Sequence, residues 1–416
     1  MPEVHPREPL VVRSVPVDDP GDLVGLLPAE GAAVWVRRGE GLVGWGEASR
    51  AEFPGPTRFA DAAAWWRAFC AGLRVEDEVG RPGSGPVAFG SFAFDDDQDG
   101  DRAGRSVLLV PRVVVGRRGG RAWRTTVGEP LPAPALTPVR APVGVTYGEG
   151  VLSAVAYEKI VAEAVERIGR GELEKVVLAR DLVATAADPL DLRSPLARLA
   201  AAYPSCWTFA VEGLLGATPE LLARREHGLV TSRVLAGTIR RTGDDERDLI
   251  LAASLARSSK DLEEHEYAVR SVAEALAPHC TAMNVPESPF VLHLPNVMHL
   301  ATDVAGVLAH GTDSLELAAA LHPSAAVCGT PTAVARALIR ELEGMDRGRF
   351  AGPVGWTGAE GDGEWGLALR CGHVDPDDGR RVRLLAGCGI VAGSDPEAEL
   401  AETQAKFVPM RDALDG

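Results

Sequence analysis

The chain has 416 residues, of which 46% are hydrophobic and 25% charged, and this composition is typical of one large globular domain or two smaller ones. No apolar run approaches the ~20 residues that span a bilayer, which argues against an integral membrane protein. The formal net charge of −16 argues against a nucleic-acid binder, and an anionic substrate would have to be held by local cations or a bound metal.

The cysteines and the first residues of the chain predict a cytoplasmic protein. The six cysteines are scattered, without a CxxC pair or the spacing of a zinc site, as expected for reduced and mostly buried thiols. The N-terminal sequence has no basic stretch followed by an apolar core, so we expect no signal peptide.

The N-terminal part of the chain, residues 1–146, predicts strands joined by turns. Its strands are expected at Ala33–Val36, Leu42–Trp45, Pro86–Phe94, Val107–Val115 and Arg121–Val127. The last two strands are expected to form a hairpin that turns at Gly119 and Gly120. A proline-rich stretch, 130–142, predicts a surface connection to the rest of the chain.

The second part of the chain, residues 147–416, mixes helices with strands. Tyr157–Ile168 places its apolar residues on one helical stripe, and Gly169 and Gly171 follow it. Further helices are predicted at Asp245–Ala256, Asp261–Leu276, Ser314–Leu321, Thr332–Leu342 and Pro396–Phe407. Further strands are predicted at Lys175–Ala184, Trp207–Val211, Leu229–Leu235, Glu364–Cys371 and Val382–Ala386. Because regular βαβ alternation is missing, the pattern favours an α+β arrangement with antiparallel sheets.

Two predicted helices each carry two acidic residues three positions apart on one face: Asp261 with Glu264, and Glu399 with Glu402. In one interpretation these are solvated faces held by the ion pairs Lys260–Glu264 and Glu402–Lys406. In the other, carboxylates from two elements bind Mg²⁺, which prefers oxygen ligands. Ser394 or Asp395 can cap the second helix.

The segment Gly387-Cys388-Gly389 lies between a predicted strand and a predicted helix. It is a weak match to a dinucleotide-binding turn, because the third glycine is displaced to Gly393 and no acidic residue follows at the required distance. A turn whose backbone N–H groups hold a carboxylate is the better interpretation. A nucleotide-dependent dehydrogenase stays open as an alternative, which a titration with NAD would test.

Eight motifs occur in the order found in one enzyme family: Lys175–Arg180, Gly216–Glu220, Leu235–Thr238, Lys260–His265, His322–Pro331, Gly363–Cys371, Ala386–Ile390 and Glu402–Lys406. They resemble the chorismate-utilising enzymes, which include isochorismate synthase, salicylate synthase, anthranilate synthase component I and aminodeoxychorismate synthase. The resemblance covers roughly residues 147 to 410, and Phe89–Asp95 extends it weakly toward the N-terminus.

The resemblance implies a fold and a metal site. The fold is a single large α/β unit of the α+β type, with two lobes of packed antiparallel sheets, helices outside and the site between the lobes. Mg²⁺ would connect the ring carboxylate of chorismate to Glu264 and Glu402, while Asp261 and Glu399 would orient water on the metal. The second part of the chain, 147–416, would be the chorismate-binding core.

The resemblance also implies the residues that hold the substrate. Arg370, Lys406 and the backbone of Gly387 and Gly389 would bind the enolpyruvyl carboxylate. The pocket would further be lined by Gly237, Thr238 and His299. Taken without the resemblance, Arg370 could be a surface charge, although its predicted strand makes an unpaired charge there costly, and His299 could be a core histidine.

Four positions distinguish the members of the family: Lys175, Ala236, Ala326 and Phe350. At the position of Ala236, aminodeoxychorismate synthases often carry a nucleophilic lysine. Lys175 matches the base of the isochorismate and salicylate enzymes, where ammonia-using members carry glutamine, and Glu220 matches the general acid. Salicylate synthases typically carry threonine and tyrosine at the positions of Ala326 and Phe350. The resemblance therefore implies an isochorismate synthase that acts as a monomer without a glutaminase partner. Salicylate synthase and a catalytically silent chorismate-binding protein remain alternatives, and the product could serve menaquinone or siderophore synthesis.

Overall fold

The computed structural model of the protein describes residues 9–96, 105–131, 137–309 and 311–415. The strands are β1 Leu10–Val17, β2 Ala33–Arg37, β3 Glu40–Phe53, β4 Leu73–Asp77, β5 Val87–Ser91, β6 Ser106–Arg118, β7 Arg121–Val127, β8 Thr146–Glu149, β9 Lys175–Thr185, β10 Trp207–Val211, β11 Leu214–Thr218, β12 Leu221–Glu226, β13 Leu229–Arg240, β14 Cys280–Asn284, β15 Phe290–His293, β16 Val297–Leu308, β17 Gly329–Thr330, β18 Pro353–Gly358, β19 Gly363–Leu367, β20 Cys371–Val374 and β21 Arg381–Ile390. The helices are α1 Arg58–Ala71, α2 Ala154–Gly169, α3 Arg193–Ala202, α4 Asp245–Leu255, α5 Ser259–Leu276, α6 Ser314–Leu321, α7 Thr332–Glu343 and α8 Pro396–Asp415.

Hydrogen bonding joins these strands into two arms that meet at β6. The first arm runs β6–β3–β2–β10–β11–β20–β21–β9, and the second runs β6–β5–β18–β19–β12–β13–β16. Neighbouring strands within both arms are antiparallel, whereas β1 and β4, beyond β7, pair in parallel. Strands on both sides of the predicted boundary at residue 146 share this sheet, since β2 pairs with β10 and β5 with β18.

The chain passes between the two arms at two short connections. One joins β11 to β12 through 219–220, and the other joins β19 to β20 through 368–370. Each connection therefore places its residues between the arms, where side chains from both arms can contact them.

Helices cover the sheet, and α4, α6, α7 and α8 begin at the predicted residues, whereas α2 and α5 begin three and two residues earlier than predicted. In α2 the buried residues Tyr157, Val161, Ala164 and Ile168 follow the helical repeat, and the Ser153 side chain accepts a hydrogen bond from the Ala156 N–H. Helix α5 packs on β13 and β16, α7 on β9, and α8 on β21. No helix among the described residues is both long enough and apolar enough to cross a membrane.

The structure confirms the predicted α+β class and the hairpin at Gly119 and Gly120, but two predicted elements are wrong. The strand predicted at Glu364–Cys371 is interrupted after Leu367, because residues 368–370 cross from one arm to the other. The predicted turn at 387–389 lies inside β21, paired with β9. Helices α1 and α3 and several strands, among them β1, β16 and β18, were not predicted, and residues 132–136 of the proline-rich connection lie outside the described residues.

The side chain of Glu364 ties the two arms together. Its Oε2 accepts hydrogen bonds from the Trp35 Nε1 at 3.0 Å and the Trp207 Nε1 at 3.2 Å, both on the first arm. Arg224 of the second arm lies 3.2 Å from the same oxygen, and Arg118 at the end of β6 binds the other. Burial alone would raise the pKa of Glu364, but Arg224 and Arg118 outweigh it and lower that pKa.

We expect Glu364→Ala to lower the free energy of unfolding by about 3 kcal/mol, because it leaves two indole N–H groups and two guanidinium groups without their shared acceptor. Urea denaturation followed by circular dichroism measures this change. Glu226→Ala removes a half-exposed glutamate that contacts the same Arg118 at 3.3 Å, so its effect should stay below about 1 kcal/mol. Equal effects of the two substitutions would contradict the assignment of Glu364 as the tie.

Candidate active site

A pocket opens between the two arms and gathers most of the predicted site residues. Eleven of them line it: Glu220, Gly237, Thr238, Glu264, His299, Ala326, Phe350, Arg370, Gly387, Gly389 and Lys406. The other four lie directly behind this lining, where Lys175 contacts Glu264, Glu402 contacts Lys406, Asp261 packs beside Gly237, and Glu399 contacts Lys260. The structure therefore brings all the predicted positions to one place.

Lys175 begins β9 and points into the protein, so its Nζ does not extend to the bulk solvent. Its side chain is 0% exposed, and its Nζ lies 3.2 Å from the Glu264 Oε1. This contact lacks the geometry of a hydrogen bond, and Nζ has no hydrogen-bond partner among the described residues. Gly389 makes the contact possible, since a Cβ there would lie 2.0 Å from the Glu264 Oε1 and 2.9 Å from the Lys175 Cε.

Glu220 lies in the first connection between the arms and is 5% exposed. Burial raises the pKa of its carboxyl group to about 8, although a backbone hydrogen bond from Leu235 and the charges of Lys175, Arg370 and Lys406 act in the opposite direction. Desolvation penalises the ionised form more than these partners stabilise it. At neutral pH the group is therefore mainly a protonated acid that can donate a proton.

Arg370 lies in the second connection between the arms, in the left-handed backbone region with φ of 50°. Arg370 is buried, so its interpretation as a surface charge is wrong. It lies between β19 and β20, so its predicted position within a strand is wrong as well. One of its terminal nitrogens lies 3.1 Å from the His299 Nε2, and the His299 Nδ1 lies 3.1 Å from the Thr238 Oγ1. A guanidinium group only donates, so the His299 Nε2 accepts and the ring proton is on Nδ1.

The same surroundings keep His299 neutral. Burial, followed by the charges of Arg370 and Lys406, lowers its pKa well below the usual value. Its neighbour Gly237 has φ of 77° and forms a bulge at which the β13–β16 register shifts. The Gly237 N–H donates to the Glu264 Oε2 at 3.2 Å, which fixes that carboxylate to β13.

The acidic faces of α5 and α8 approach each other, and of their carboxylates Glu399 is buried whereas Asp261, Glu264 and Glu402 are half-buried. Lys260 of α5 lies 2.7 Å from the Glu399 Oε1 of α8, and Lys406 lies 2.5 Å from the Glu402 Oε1. The expected pair Lys260–Glu264 is therefore wrong, and Glu399, which is 2% exposed, is not on a solvated face. The pair Glu402–Lys406 is confirmed, and Lys406 also donates to the backbone oxygen of Gly387 at 2.8 Å. The Asp395 side chain caps α8 through the Ala398 N–H.

The electrostatics of these carboxylates suit a divalent cation. Burial raises the pKa of Asp261 and of Glu399. Glu264 and Glu402 raise the pKa of Asp261 further, and Glu402 raises that of Glu399 further. Burial acts the same way on Glu402, but Lys406 and Lys260 outweigh it and lower its pKa. Closely spaced carboxylate oxygens that repel one another are the donor set that Mg²⁺ prefers. The nearby Cys388 offers no thiolate, because burial raises its pKa well above the usual value.

Two residues of the site were missed by the sequence reasoning. Arg347 lines the pocket and binds Glu343 at 2.9 Å and the backbone oxygen of Val177 at 2.7 Å, and no local motif indicated this. Lys260 was assigned to the wrong partner. The rarity of lysine was a signal that Lys260 has a specific role. Only four of the 43 Lys and Arg residues are lysines, and three of these four form the ion pairs described above.

Comparisons with known proteins agree with this geometry. The family model described as chorismate binding enzyme matches residues 30–128 and 141–415. The chain is 43% identical over 270 residues to the isochorismate synthase DhbC of Bacillus subtilis, covering 62% of this chain and 67% of the relative. It is 37% identical over 355 residues to the putative isochorismate synthase MenF of Mycobacterium tuberculosis, covering 82% and 90%. The crystal structure of a putative 2,3-dihydroxybenzoate-specific isochorismate synthase, DhbC from Bacillus anthracis, superposes with a TM-score of 0.79 at 34% identity, covering 94% and 98%.

We expect Glu220→Gln to stabilise the protein increasingly as the pH rises. The folded protein holds the Glu220 proton up to a pH of about 8, whereas the unfolded chain releases it near the ordinary value of 4.5, so the wild type loses stability between these two values. Glutamine has no such proton, and the gain should reach about 4 kcal/mol at pH 8 and become small near pH 4.5.

Urea unfolding at a series of pH values measures this difference. Glu287→Gln, at an exposed loop position, is the control and should follow the wild type at every pH. A Glu220→Gln gain that does not change with pH would show that the Glu220 carboxyl group ionises normally in the folded protein.

Proposed function

The chain belongs to the family of chorismate-binding enzymes, and from this premise we propose that it is a magnesium-dependent isochorismate synthase. The observation that carries the proposal is the buried pair of Lys175 and Glu220, one a fully buried amine without a hydrogen bond and the other a protonated acid in the pocket lining. The relatives named above as isochorismate synthases support the same reaction.

The proposed reaction needs a base and an acid within one pocket. Lys175 takes a proton from the water whose oxygen forms the new bond at C2 of chorismate. Glu220 gives its proton to the C4 hydroxyl, which leaves as water, so that one water enters and one departs. The Lys175 Nζ has no hydrogen-bond partner among the described residues, so a bound water can contact it, and burial keeps Glu220 protonated.

Cationic and backbone groups support the binding of a dianionic substrate. Arg370 and Lys406, with the backbone of Gly387 and Gly389, would hold the enolpyruvyl carboxylate. His299 orients Arg370 through the hydrogen bond at its Nε2, and Gly237 and Thr238 shape the adjoining wall. These local charges would overcome the repulsion of an anion by a protein of net charge −16.

Glu264 and Glu402 would hold Mg²⁺, with Asp261 and Glu399 orienting its water. Glu264 is fixed by the Gly237 N–H and Glu402 lies on the facing helix, which supports a cation between α5 and α8. When bound, the metal would neutralise the ring carboxylate of the substrate.

The pocket wall supports a reaction that ends at isochorismate. Ala326 and Phe350 both line the pocket, and neither side chain offers a polar group. At these positions salicylate synthases typically carry a threonine and a tyrosine, and they go on to eliminate pyruvate. The two apolar side chains therefore favour release of isochorismate.

The proposed enzyme acts alone, as a cytoplasmic monomer without a glutaminase partner. Every residue to which we assign a role comes from one chain, and water is the nucleophile, which supports a site that needs no second subunit. All six cysteines are free thiols, as expected in a reducing compartment.

We expect purified protein with chorismate and Mg²⁺ at neutral pH to form isochorismate, without added ammonia or glutamine. Separation of the products by HPLC should show a mixture of the two acids, and EDTA should abolish the conversion because the carboxylates alone repel the substrate. Salicylate with pyruvate would instead assign a salicylate synthase. Turnover that depends on ammonia would contradict the role of water, and no turnover would contradict the proposed enzyme.

We expect Lys175→Ala to lower kcat roughly 10³-fold, since general base catalysis contributes about 10²–10⁴-fold. Chorismate binding, measured by calorimetry, should change little, because the lysine lies behind the pocket lining. Lys159→Ala on the exposed face of α2 is the matched control and should retain full activity. A Lys175→Ala variant with a normal rate would remove this residue from the mechanism.

A further inference from the structure

Lys260 is the one lysine of the three lysine–glutamate pairs to which the proposed reaction assigns no role. It is the second residue of α5, and its Nζ lies 2.7 Å from the Oε1 of Glu399 in the first turn of α8. The pair joins the two helices that carry the proposed metal-binding glutamates. Of the three lysines, Lys260 is the most exposed, at 36%, whereas its partner Glu399 is 2% exposed.

The charge of Lys260 reaches the whole carboxylate cluster. Burial lowers the pKa of Lys260, but Glu399, Glu264 and Glu402 outweigh it and raise that pKa, so the ammonium group stays charged. Carboxylate oxygens of Glu399 and Glu402 lie within 4.8 Å of each other, so Glu399 is placed to bind a cation held by Glu402. The contact with Lys260 occupies this carboxylate.

We propose that Lys260 limits the affinity of this site for its divalent cation, because its ammonium group occupies the Glu399 carboxylate, which would otherwise become a further ligand. The inference rests on the proposed function, since it takes the cation to lie between Glu264 and Glu402. Lys260 is a positioning residue that acts through Glu399 and does not touch the substrate.

A weakened site suits an enzyme in which the cation is shared with the substrate. A third protein carboxylate on Mg²⁺ would replace a position at which water or the ring carboxylate binds. Lys260 would therefore limit the metal to two protein carboxylates and leave the remaining coordination positions open to water and the substrate. Arginine would keep the charge at this position, whereas glutamine would remove it and keep most of the length.

The test measures Mn²⁺ binding by the electron paramagnetic resonance signal of the free ion, without substrate. Lys260→Gln should bind Mn²⁺ on the order of tenfold more tightly than the wild type, which is the effect of removing one positive charge a few ångströms away in a partly buried site. Lys260→Arg should stay close to the wild type, and Lys159→Gln on α2 should be indistinguishable from it. Lys260→Met serves as a second variant without the charge.

The double variant Lys260→Gln/Glu399→Gln separates a ligand effect from a general field effect. If Glu399 becomes a ligand once Lys260 is gone, the double variant should return to the affinity of the wild type. Unchanged or weaker Mn²⁺ binding by Lys260→Gln and Lys260→Met would overturn the inference, and so would a double variant that keeps the full gain. Absence of Mn²⁺ binding in the wild type would contradict the proposed metal site itself. Normal binding in the wild type with no gain in Lys260→Gln would contradict only the inference about Lys260.

Discussion

Burial of charge is the constraint on which the rest of this structure depends. The pocket and the side chains directly behind it include three lysines and two arginines beside five carboxyl groups. An ion removed from water is tolerated only when a partner of opposite charge or a hydrogen bond compensates. The three lysine–glutamate pairs supply that compensation and connect β9 to α5, α5 to α8, and one turn of α8 to the next. These ion pairs therefore fix the positions of β9, α5 and α8 around the pocket.

The two connections between the arms explain why the acid Glu220 and the anion-binding Arg370 lie in one pocket. Glu220 and Arg370 lie far apart in the sequence, yet each occupies a short segment that leaves one arm and enters the other. Backbone in such a segment need not continue a ladder, which is why Arg370 can adopt a left-handed conformation and turn its side chain toward His299. The division of the sheet into two arms thus creates both the pocket and its polar lining.

The sequence predicted the elements whose pattern is local, and it failed where contacts between distant residues decide. Helices α5 and α6 follow from their spacing of apolar residues, and the predicted site residues follow from motifs that recur in order. The interruption before Arg370 was not predictable, because the segment Leu367-Ala-Leu-Arg370 reads as a strand and breaks only because its two halves belong to different arms. The partner of Lys260 was wrong for a related reason, since helical spacing favours Glu264, four positions later, whereas Glu399 lies on another helix.

The scarcity of lysine affects the chemical reactivity of the protein surface. Arginine supplies nearly all the positive charge, and because a guanidinium group does not lose its proton at physiological pH, most of that charge is chemically inert. The side-chain amines are concentrated in the pocket, with Lys159 as the exception. A reagent that acylates amines would therefore find little to attack on the outside of the protein, and the native fold shields the amines whose loss would matter most.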